Sequence, residues 1–338
     1  MILVTGGTGL LGSHLLYDLV KDGTKVVALK RSNSYTSQVE KTFSYYHQNP
    51  ENILKNIEWR EGDITDIYSL YEAFDNIEKV YHAAACLSFD PSDKKQMQNV
   101  NEKGTANVVN ACLEKNIKKL CYVSSIATLG RVDNDGIIDE ETHWKNSNNN
   151  SKYSISKYNA EREVWRGIAE GLQAVIINPG VIIGPGNWEK GSSQLIDRVW
   201  SGLKFYTPGV NGYVDVRDVS RAMIELMNSE IVNERFIISS ENLDYLTFFS
   251  YVADALGKKK PSINAPYFTG QLAWRLEKLL TSLTGKNPLI TKETARTAYQ
   301  KYYYSSEKIS KALNFKFIPM QQCISDTCKL FLIDHNSH

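Results

Sequence analysis

The sequence predicts an α/β fold, built on a doubly wound parallel sheet with a smaller mixed region at the C-terminal end. The first half alternates predicted strands and helices, and repeated strand–helix–strand order is typical of parallel sheets. The run at residues 2–4 is wholly apolar, as expected for a strand buried on both faces. Beyond about residue 180 the alternation fades, and the Gly/Pro-rich stretches 180–191 and 208–212 are predicted to be loops.

The individual elements follow from apolar periodicity and from turn residues. Strands are predicted at residues 2–4, 25–29, 57–61, 79–82, 120–123, 174–177 and 235–239. A helix is predicted directly after the first strand, where apolar residues recur at helical spacing. Further helices are predicted at 97–115, 152–170, 194–202, 218–228, 247–256, 268–283, 306–313 and 321–332.

The composition narrows the class of protein. The 338 residues carry a net charge of +1 and an apolar fraction of 42%, which suits a soluble protein with a sizeable core. No basic stripe indicates nucleic acid as a partner. The five cysteines lack the spacing of a zinc site or a disulfide framework, so no metal is expected. We see no signal peptide and no apolar span of about 18 residues, which favours the cytoplasm and argues against stable membrane insertion.

The segment TGGTGLLG at residues 5–12 lies between a predicted strand and a predicted helix. Its glycines permit a tight turn, a close approach of backbone N–H groups to a pyrophosphate, and close packing of helix on strand. The helix N-terminus then faces the anion. The pattern predicts a Rossmann-type dinucleotide-binding domain, whose cofactor contacts would be Gly6, Thr8, Gly9, Leu10, Leu11 and Gly12. We expect this domain to span 1–180 with a contribution from 213–240, and 181–338 to form an interleaved, mainly substrate-binding region.

The end of the second predicted strand selects between NAD and NADP. An acidic residue there would accept a hydrogen bond from a ribose 2′-hydroxyl, but the sequence has Lys30, Arg31 and Ser32. Two cations and a hydroxyl suit a 2′-phosphate, so we expect NADP(H) to be preferred, with NAD(H) as the alternative cofactor. Solvated residues on an exposed loop are the alternative interpretation of the two cations.

Further cofactor contacts are expected at the ends of the third and fourth predicted strands. Asp63 and Ile64 follow the third strand, where a carboxylate can accept from the adenine amino group or cap the next helix. After the fourth strand, small side chains leave room for a cofactor to cross the sheet edge; these are Ala83, Ala84 and Ala85. His82 is expected to be a packed strand residue rather than a base.

Tyr153 and Lys157 are four positions apart, and therefore lie on one face of a predicted helix. An ammonium beside a phenol favours the phenolate and lowers its pKa from about 10 toward neutrality. Such a tyrosine can give or take a proton at a carbonyl or an alcohol. The pair alone is common by chance, and two ordinary surface residues of a helix are its alternative interpretation.

Several motifs recur in order along the chain: TGxxGxxG at 5–12, GDITD at 62–66, HAAA at 82–85, NEKGT at 101–105, the serine pair 124–125 and YxxxK at 153–157. In this order and spacing they resemble the extended short-chain dehydrogenases/reductases over nearly the whole chain. SSIATLG at 124–130 and NPGVIIGP at 178–185 are similar to the branch of dihydroflavonol 4-reductase-like and 3β-hydroxysteroid dehydrogenase-like enzymes. That branch also holds hopanoid-associated sugar epimerases, so its name does not settle the reaction.

The resemblance implies a role for each matching residue. Ser125 would hydrogen-bond the substrate oxygen, and Tyr153 would be the proton donor or acceptor. Lys157 would contact the nicotinamide ribose and hold the pKa of the tyrosine down, and Asn101 would support the lysine. The nicotinamide pocket would be lined by Pro179 and Val181. The partners it implies are a small-molecule substrate and a second copy of the chain.

We expect an NADP(H)-dependent reductase or dehydrogenase that acts on a carbonyl or alcohol substrate. Nucleotide-sugar members usually carry arginines that clamp a phosphate, one of them near the position of Asn211 here. Arg217, Arg198 or Lys190 could take over that role, so an epimerase that retains its NAD(P) is the first alternative. A non-catalytic NAD(P)-binding regulatory protein is the second, although the full set of serine, tyrosine and lysine argues against it.

Overall fold

The computed structural model describes residues 1–88, 91–132, 136–147, 150–270, 274–275 and 292–336. Its strands are β1 (Ile2–Thr5), β2 (Val26–Lys30), β3 (Ile57–Glu61), β4 (Lys79–His82), β5 (Lys119–Val123), β6 (Ile137–Ile138), β7 (Ala174–Pro179), β8 (Val181–Ile183), β9 (Phe205–Tyr206), β10 (Val210–Asp215), β11 (Glu234–Ile238), β12 (Glu241–Asp244), β13 (Ile263–Asn264) and β14 (Tyr303–Tyr304). Its helices are α1 (Leu10–Val20), α2 (Ser37–Tyr46), α3 (Glu51–Leu54), α4 (Ile67–Ala73), α5 (Lys94–Met97), α6 (Gly104–Glu114), α7 (Lys152–Ala169), α8 (Gln194–Trp200), α9 (Val216–Asn228), α10 (Tyr245–Leu256), α11 (Lys292–Thr297), α12 (Glu307–Leu313) and α13 (Met320–Asn336). A π-helical segment, Gln98–Lys103, joins α5 to α6.

The central sheet has seven strands in the order β11-β7-β5-β4-β1-β2-β3, and all neighbours are parallel. The chain runs outward from β1 to β3, returns to β4 beside β1, and then runs outward on the other side. Open α/β sheets bind ligands at such a reversal, outside the carboxyl ends of the strands. The strand order confirms the predicted doubly wound, Rossmann-type sheet.

Helices cover both faces of this sheet, which explains the continuous apolar runs of its strands. One hydrophobic cluster includes Val4 of β1, Leu15 of α1 and Met223 of α9. The cluster on the opposite face includes Leu3 of β1 and Val108 of α6. Consecutive residues of β1 therefore pack into different layers, as the two-residue period of a strand requires.

A smaller mixed sheet has the order β12-β10-β8, in which β10 is parallel to β8 and antiparallel to β12. The predictions of loops over 180–191 and 208–212 were partly wrong, because β8 lies in the first stretch and β10 begins in the second. The glycines there serve close packing of strands rather than turns alone. A Cβ on Gly180 would lie 2.6 Å from the carbonyl oxygen of Gly212.

The other predicted strands and helices coincide with observed elements, apart from shifted ends, except that the helix predicted at 268–283 lies mostly outside the described residues. The two-residue strands β6, β9, β13 and β14 were not predicted, because so short a segment has no periodicity to detect. Within the described part of the chain, no helix has both the length and the apolar character needed to cross a membrane.

Candidate active site

The glycine loop after β1 packs tightly on one side and is open on the other. Gly6 has a φ of +75°, and a Cβ there would lie 2.5 Å from the backbone nitrogen of Ala84. A Cβ on Gly12 would lie 2.0 Å from the carbonyl oxygen of Gly6. Around Gly9 the nearest atom to such a Cβ is 3.4 Å away, which is ordinary contact. Gly6 and Gly12 therefore have to be glycine because of close packing, whereas Gly9 leaves space for a ligand.

Helix α1 begins immediately after Gly9, and no side chain caps its N-terminus. Its first turn holds no acidic residue, so the N–H groups of Leu10, Leu11 and Gly12 meet no competing carboxylate there. Uncapped N–H groups and the positive end of a helix dipole suit an anion. The loop, with Thr8 between its glycines, thus fits the pyrophosphate of a dinucleotide.

Lys30 ends β2 half-buried, and Arg31 and Ser32 follow it exposed to solvent. Neither cation forms an ion pair with another described residue. Both charges are therefore available to a phosphate at the carboxyl end of β2, beside the glycine loop.

The polar groups of the segment after β3 are hydrogen-bonded within the protein. One carboxylate oxygen of Asp63 accepts from the backbone N–H and the hydroxyl of Thr65, both at 2.8 Å. The cap of α4 is Asp66, not Asp63. The Ile64 side chain is buried in the core, and its carbonyl accepts from Asn107 at 2.9 Å. Ile64 can thus offer a ligand its backbone N–H rather than its side chain.

The alanines after β4 lie directly beside the glycine loop. The N–H of Ala83 donates to the carbonyl of Thr5 at 3.2 Å, and that of Ala84 donates to the Thr5 hydroxyl at 3.4 Å. Ala83 and Ala84 are half-buried and Ala85 is exposed, so small side chains border the crevice between β1 and β4. His82 is fully buried in β4, which agrees with its interpretation as a packed strand residue.

Tyr153 lies in the first turn of α7, a helix that begins where the Ser151 hydroxyl accepts from the N–H of Ser154. Its phenol lies beside the hydroxyl of Ser125, which follows β5. Burial raises the pKa of Tyr153, and the neighbouring Ser125 hydroxyl opposes that effect. The prediction that this pKa is lowered toward neutrality is therefore wrong. Tyr153 is protonated at neutral pH.

Lys157 lies one turn further along α7 and is almost completely buried. Its Nζ donates to the Tyr122 hydroxyl at 2.9 Å and to the carbonyl of Val123 at 2.8 Å. Burial lowers the pKa of Lys157 to about 7, against the opposing charge of Glu161. The lysine is thus held from β5, and it populates both protonation states near neutral pH.

Asn101 is buried in the π-helical segment and does not contact Lys157 directly. Its Oδ1 accepts from the N–H of Cys86 at 2.7 Å, and its Nδ2 lies 2.9 Å from the Cys86 carbonyl and 3.0 Å from the Ser156 hydroxyl. Asn101 therefore ties the loop after β4 to α7, beside the lysine. Pro179, at the end of β7, is buried, and Val181, two residues further on, is half-buried at the start of β8.

Two further residues of this region escaped the sequence analysis. Tyr122 bonds Lys157, as described above. Glu161 accepts from the Ser124 hydroxyl at 2.5 Å and from Asn178 Nδ2 at 2.9 Å, and it pairs with Arg235 at 3.2 Å. Asn178 also lies 3.1 Å from the carbonyl of Ser125. Glu161 thus supports the turn that presents Ser125, and its spacing of four from Lys157 was the available signal.

A family model described as "NAD dependent epimerase/dehydratase family" matches residues 2–238. The chain belongs to this family. Proteins similar to this chain include named reductases, and the chain is an NAD(P)-dependent enzyme of the extended short-chain dehydrogenase/reductase group, an oxidoreductase or an epimerase.

Individual proteins similar to this family member match it over nearly the whole chain. A Synechocystis sp. protein provisionally named dihydroflavonol 4-reductase is 28% identical, over 97% of this chain and 93% of the relative. Cinnamoyl-CoA reductase 1 of Petunia hybrida is 25% identical, over 97% and 91%. The crystal structure of gox2253 has a TM-score of 0.81 at 27% identity, over 99% of this chain and 98% of that one. UDP-glucose 4-epimerase of Thermotoga maritima has a TM-score of 0.78 at 20% identity, over 99% of each chain, which shows the shared fold.

Proposed function

We propose that this enzyme is an NADP(H)-dependent reductase, reversible as a dehydrogenase, that acts on a carbonyl or alcohol substrate. The observation that carries the proposal is the placement of the Ser125 hydroxyl beside the Tyr153 phenol, one helical turn from the buried Lys157. These side chains lie at the carboxyl edge of the sheet, as do the glycine loop and the alanines after β4. Asn101 completes the proposed set by fixing the loop at Cys86 against α7.

Each residue contributes a separate step. The chemistry that a bound nicotinamide would supply is hydride transfer to or from the substrate carbon. Ser125 orients the substrate oxygen through its hydroxyl, which the N–H of Ala127 holds at 3.1 Å. Tyr153 gives its proton to that oxygen during reduction, and its raised pKa keeps the phenol protonated until then. In its charged form, Lys157 favours the tyrosinate that remains until a proton returns.

The proposed preference for NADP(H) rests on Arg31 and Lys30. Both are unpaired among the described residues, and they lie at the carboxyl end of β2, the strand whose end faces the ribose in this type of fold. Asp63 and the glycine loop would bind the rest of the nucleotide. Pro179 and Val181 would line the nicotinamide pocket. We also propose the division into a dinucleotide-binding region, 1–180 with 213–240, and a mainly substrate-binding region, 181–338.

The contacts of Arg217 favour a carbonyl substrate over a nucleotide sugar. Its guanidinium binds Asp215 through two nitrogens, at 2.6 to 3.1 Å, and reaches Asp326 at 3.1 Å. An arginine held by two carboxylates is not free to clamp a diphosphate. Arg217, one of the three cations that could replace the absent arginines, is thus already paired with carboxylates of the protein.

The test combines a carbonyl-substrate panel with cofactor binding. We expect consumption of NADPH with at least one carbonyl compound, and a loss of kcat of about a hundredfold or more in Tyr153→Phe with unchanged NADPH affinity. Tyr158→Phe, on the same helix but stacked on Trp144 at 4.5 Å, is the matched control and keeps its activity. Full turnover by Tyr153→Phe would overturn the catalytic assignment. An epimerase would instead retain its cofactor on purification and show no net change in absorbance.

A further inference from the structure

A buried line of polar side chains runs under the crevice from the glycine loop to Lys157. The Thr5 hydroxyl lies 2.6 Å from His82 Nδ1, and His82 Nε2 lies 3.1 Å from the hydroxyl of Thr105. The hydroxyl of Tyr122 lies beside that of Thr105 and accepts from Lys157 Nζ at 2.9 Å. The five residues come from β1, β4, α6, β5 and α7, and all are buried.

The lysine fixes the direction of the hydrogen bond at one end of this line. Its Nζ donates to Tyr122, so the Tyr122 oxygen is the acceptor. The roles of the two His82 nitrogens toward Thr5 and Thr105 depend on the tautomer of the imidazole. Burial and the charge of Lys157 lower the pKa of His82 to about 3, which keeps it neutral. At the lysine, the line therefore offers an uncharged acceptor.

A lysine ammonium has three N–H donors. In this structure one N–H donates to Tyr122 and one to the carbonyl of Val123. With two N–H groups held in this way, the direction of the third is fixed. We propose that Tyr122 is a positioning residue for Lys157: its hydroxyl anchors one N–H so that the remaining one points toward the reacting groups. This inference rests on the proposed role of Lys157, and it assigns to a strand residue a task that none of the motifs indicates.

The groups that act on Lys157 set the expected response. Glu161 of α7 favours the charged form of the lysine, and the neutral His82 of β4 and the protonated Tyr153 add no charge. Tyr122 of β5 stabilises the ammonium as an acceptor. In Tyr122→Phe the ring remains under Nζ, 4.6 Å from its centre, and only the acceptor is lost. The pKa of Lys157 should then fall below its present value of about 7.

The direct test is a titration by NMR of protein that carries lysine isotope-labelled at Cε, without cofactor or substrate. Lys157→Arg identifies the resonance. We expect its midpoint to fall by about one pH unit or more in Tyr122→Phe, because a hydrogen bond to a charged group is lost. Tyr81→Phe is the matched control: Tyr81 is equally buried, but it packs in the cluster on the opposite face of the sheet. An unchanged midpoint in a folded Tyr122→Phe would overturn the inference.

A second variant covers the case in which Tyr122→Phe does not fold. Thr105→Val keeps the shape of the side chain but removes the hydroxyl beside that of Tyr122, so we expect a smaller shift in the same direction. No shift, or a shift upward, would contradict the proposal. The result is separable from the proposed function: failure of the wild-type protein to bind NADPH in a fluorescence titration refutes the cofactor assignment, whereas an unchanged Lys157 midpoint refutes the role of Tyr122.

Discussion

Replacing Gly9 by alanine separates the binding role of the glycine loop from its packing role. The backbone of Gly9 has φ −87° and ψ 175°, which alanine adopts without strain. The added Cβ would meet nothing closer than the Gly6 carbonyl oxygen at 3.4 Å. We therefore expect the melting temperature of Gly9→Ala to equal or slightly exceed that of the wild type.

Binding of NADPH should nevertheless suffer, because the methyl group occupies the open side of the loop. Displacing the pyrophosphate from its N–H donors costs at least one charge-assisted hydrogen bond, or roughly 1.5–3 kcal/mol. The dissociation constant should rise by about tenfold to a hundredfold. A fluorescence titration with NADPH, run beside a thermal melt, measures both quantities on one preparation.

Gly12→Ala is the contrasting variant. Its Cβ would lie 2.0 Å from the Gly6 carbonyl oxygen, so the backbone must shift and the fold loses roughly 1–3 kcal/mol. We expect a lower melting temperature there and weaker binding as a secondary effect. If a folded Gly9→Ala bound NADPH as tightly as the wild type, the open side of the loop would not be the pyrophosphate site.

Three further predictions concern charge. Arg31→Ala should weaken NADPH binding about tenfold in a fluorescence titration and leave NADH binding unchanged; equal losses for both cofactors would refute 2′-phosphate recognition. Glu161→Gln should lower the free energy of unfolding by roughly 2–4 kcal/mol, because the buried partner of Arg235 loses its charge. Its control, Glu163→Gln at the more exposed pair with Arg166, should change the free energy of unfolding by less than about 0.5 kcal/mol, and similar denaturant midpoints for both variants would contradict the argument. The pKa of Lys157 is about 7 in the folded protein and higher when unfolded, so the unfolded chain binds more protons above pH 7. The stability of the wild type relative to Lys157→Met should therefore rise from pH 7 toward pH 10 in denaturant titrations, and a flat difference would refute the low pKa.

The long elements of the fold were accessible from the sequence because their signals are local. Strands such as β1 and β7 are continuous apolar runs, and α7 shows helical spacing, so each can be recognised without its neighbours. β10 was hidden, since its first residues include Gly212, a residue typical of turns. The close packing of β10 against β8 and β12 depends on contacts between segments that are distant in sequence, and apolar periodicity does not report such contacts.

The candidate site divides in the same way. The glycine loop, Ser125, Tyr153 and Lys157 occur in short motifs with a chemical reason for each spacing. Tyr122 sits in the apolar run of β5 and looks like an ordinary core residue until its hydroxyl is found beside Lys157. The pKa of Tyr153 was predicted in the wrong direction, because spacing indicates the neighbouring charge but not the depth of burial.

The position of β11 in the central sheet restricts how this chain can be divided. β11 follows the mixed-sheet strands β8 and β10 in sequence, yet it pairs with β7 through residues 234–238. A fragment that stopped at residue 180 would leave β7 as a bare sheet edge, and Ile177 would lose the cover of α9 residues such as Val219 and Met223. Open apolar edges recruit other strands and cause aggregation. A shortened version for engineering must therefore keep the chain through β11, and limited proteolysis within the intervening loops should leave the two pieces associated.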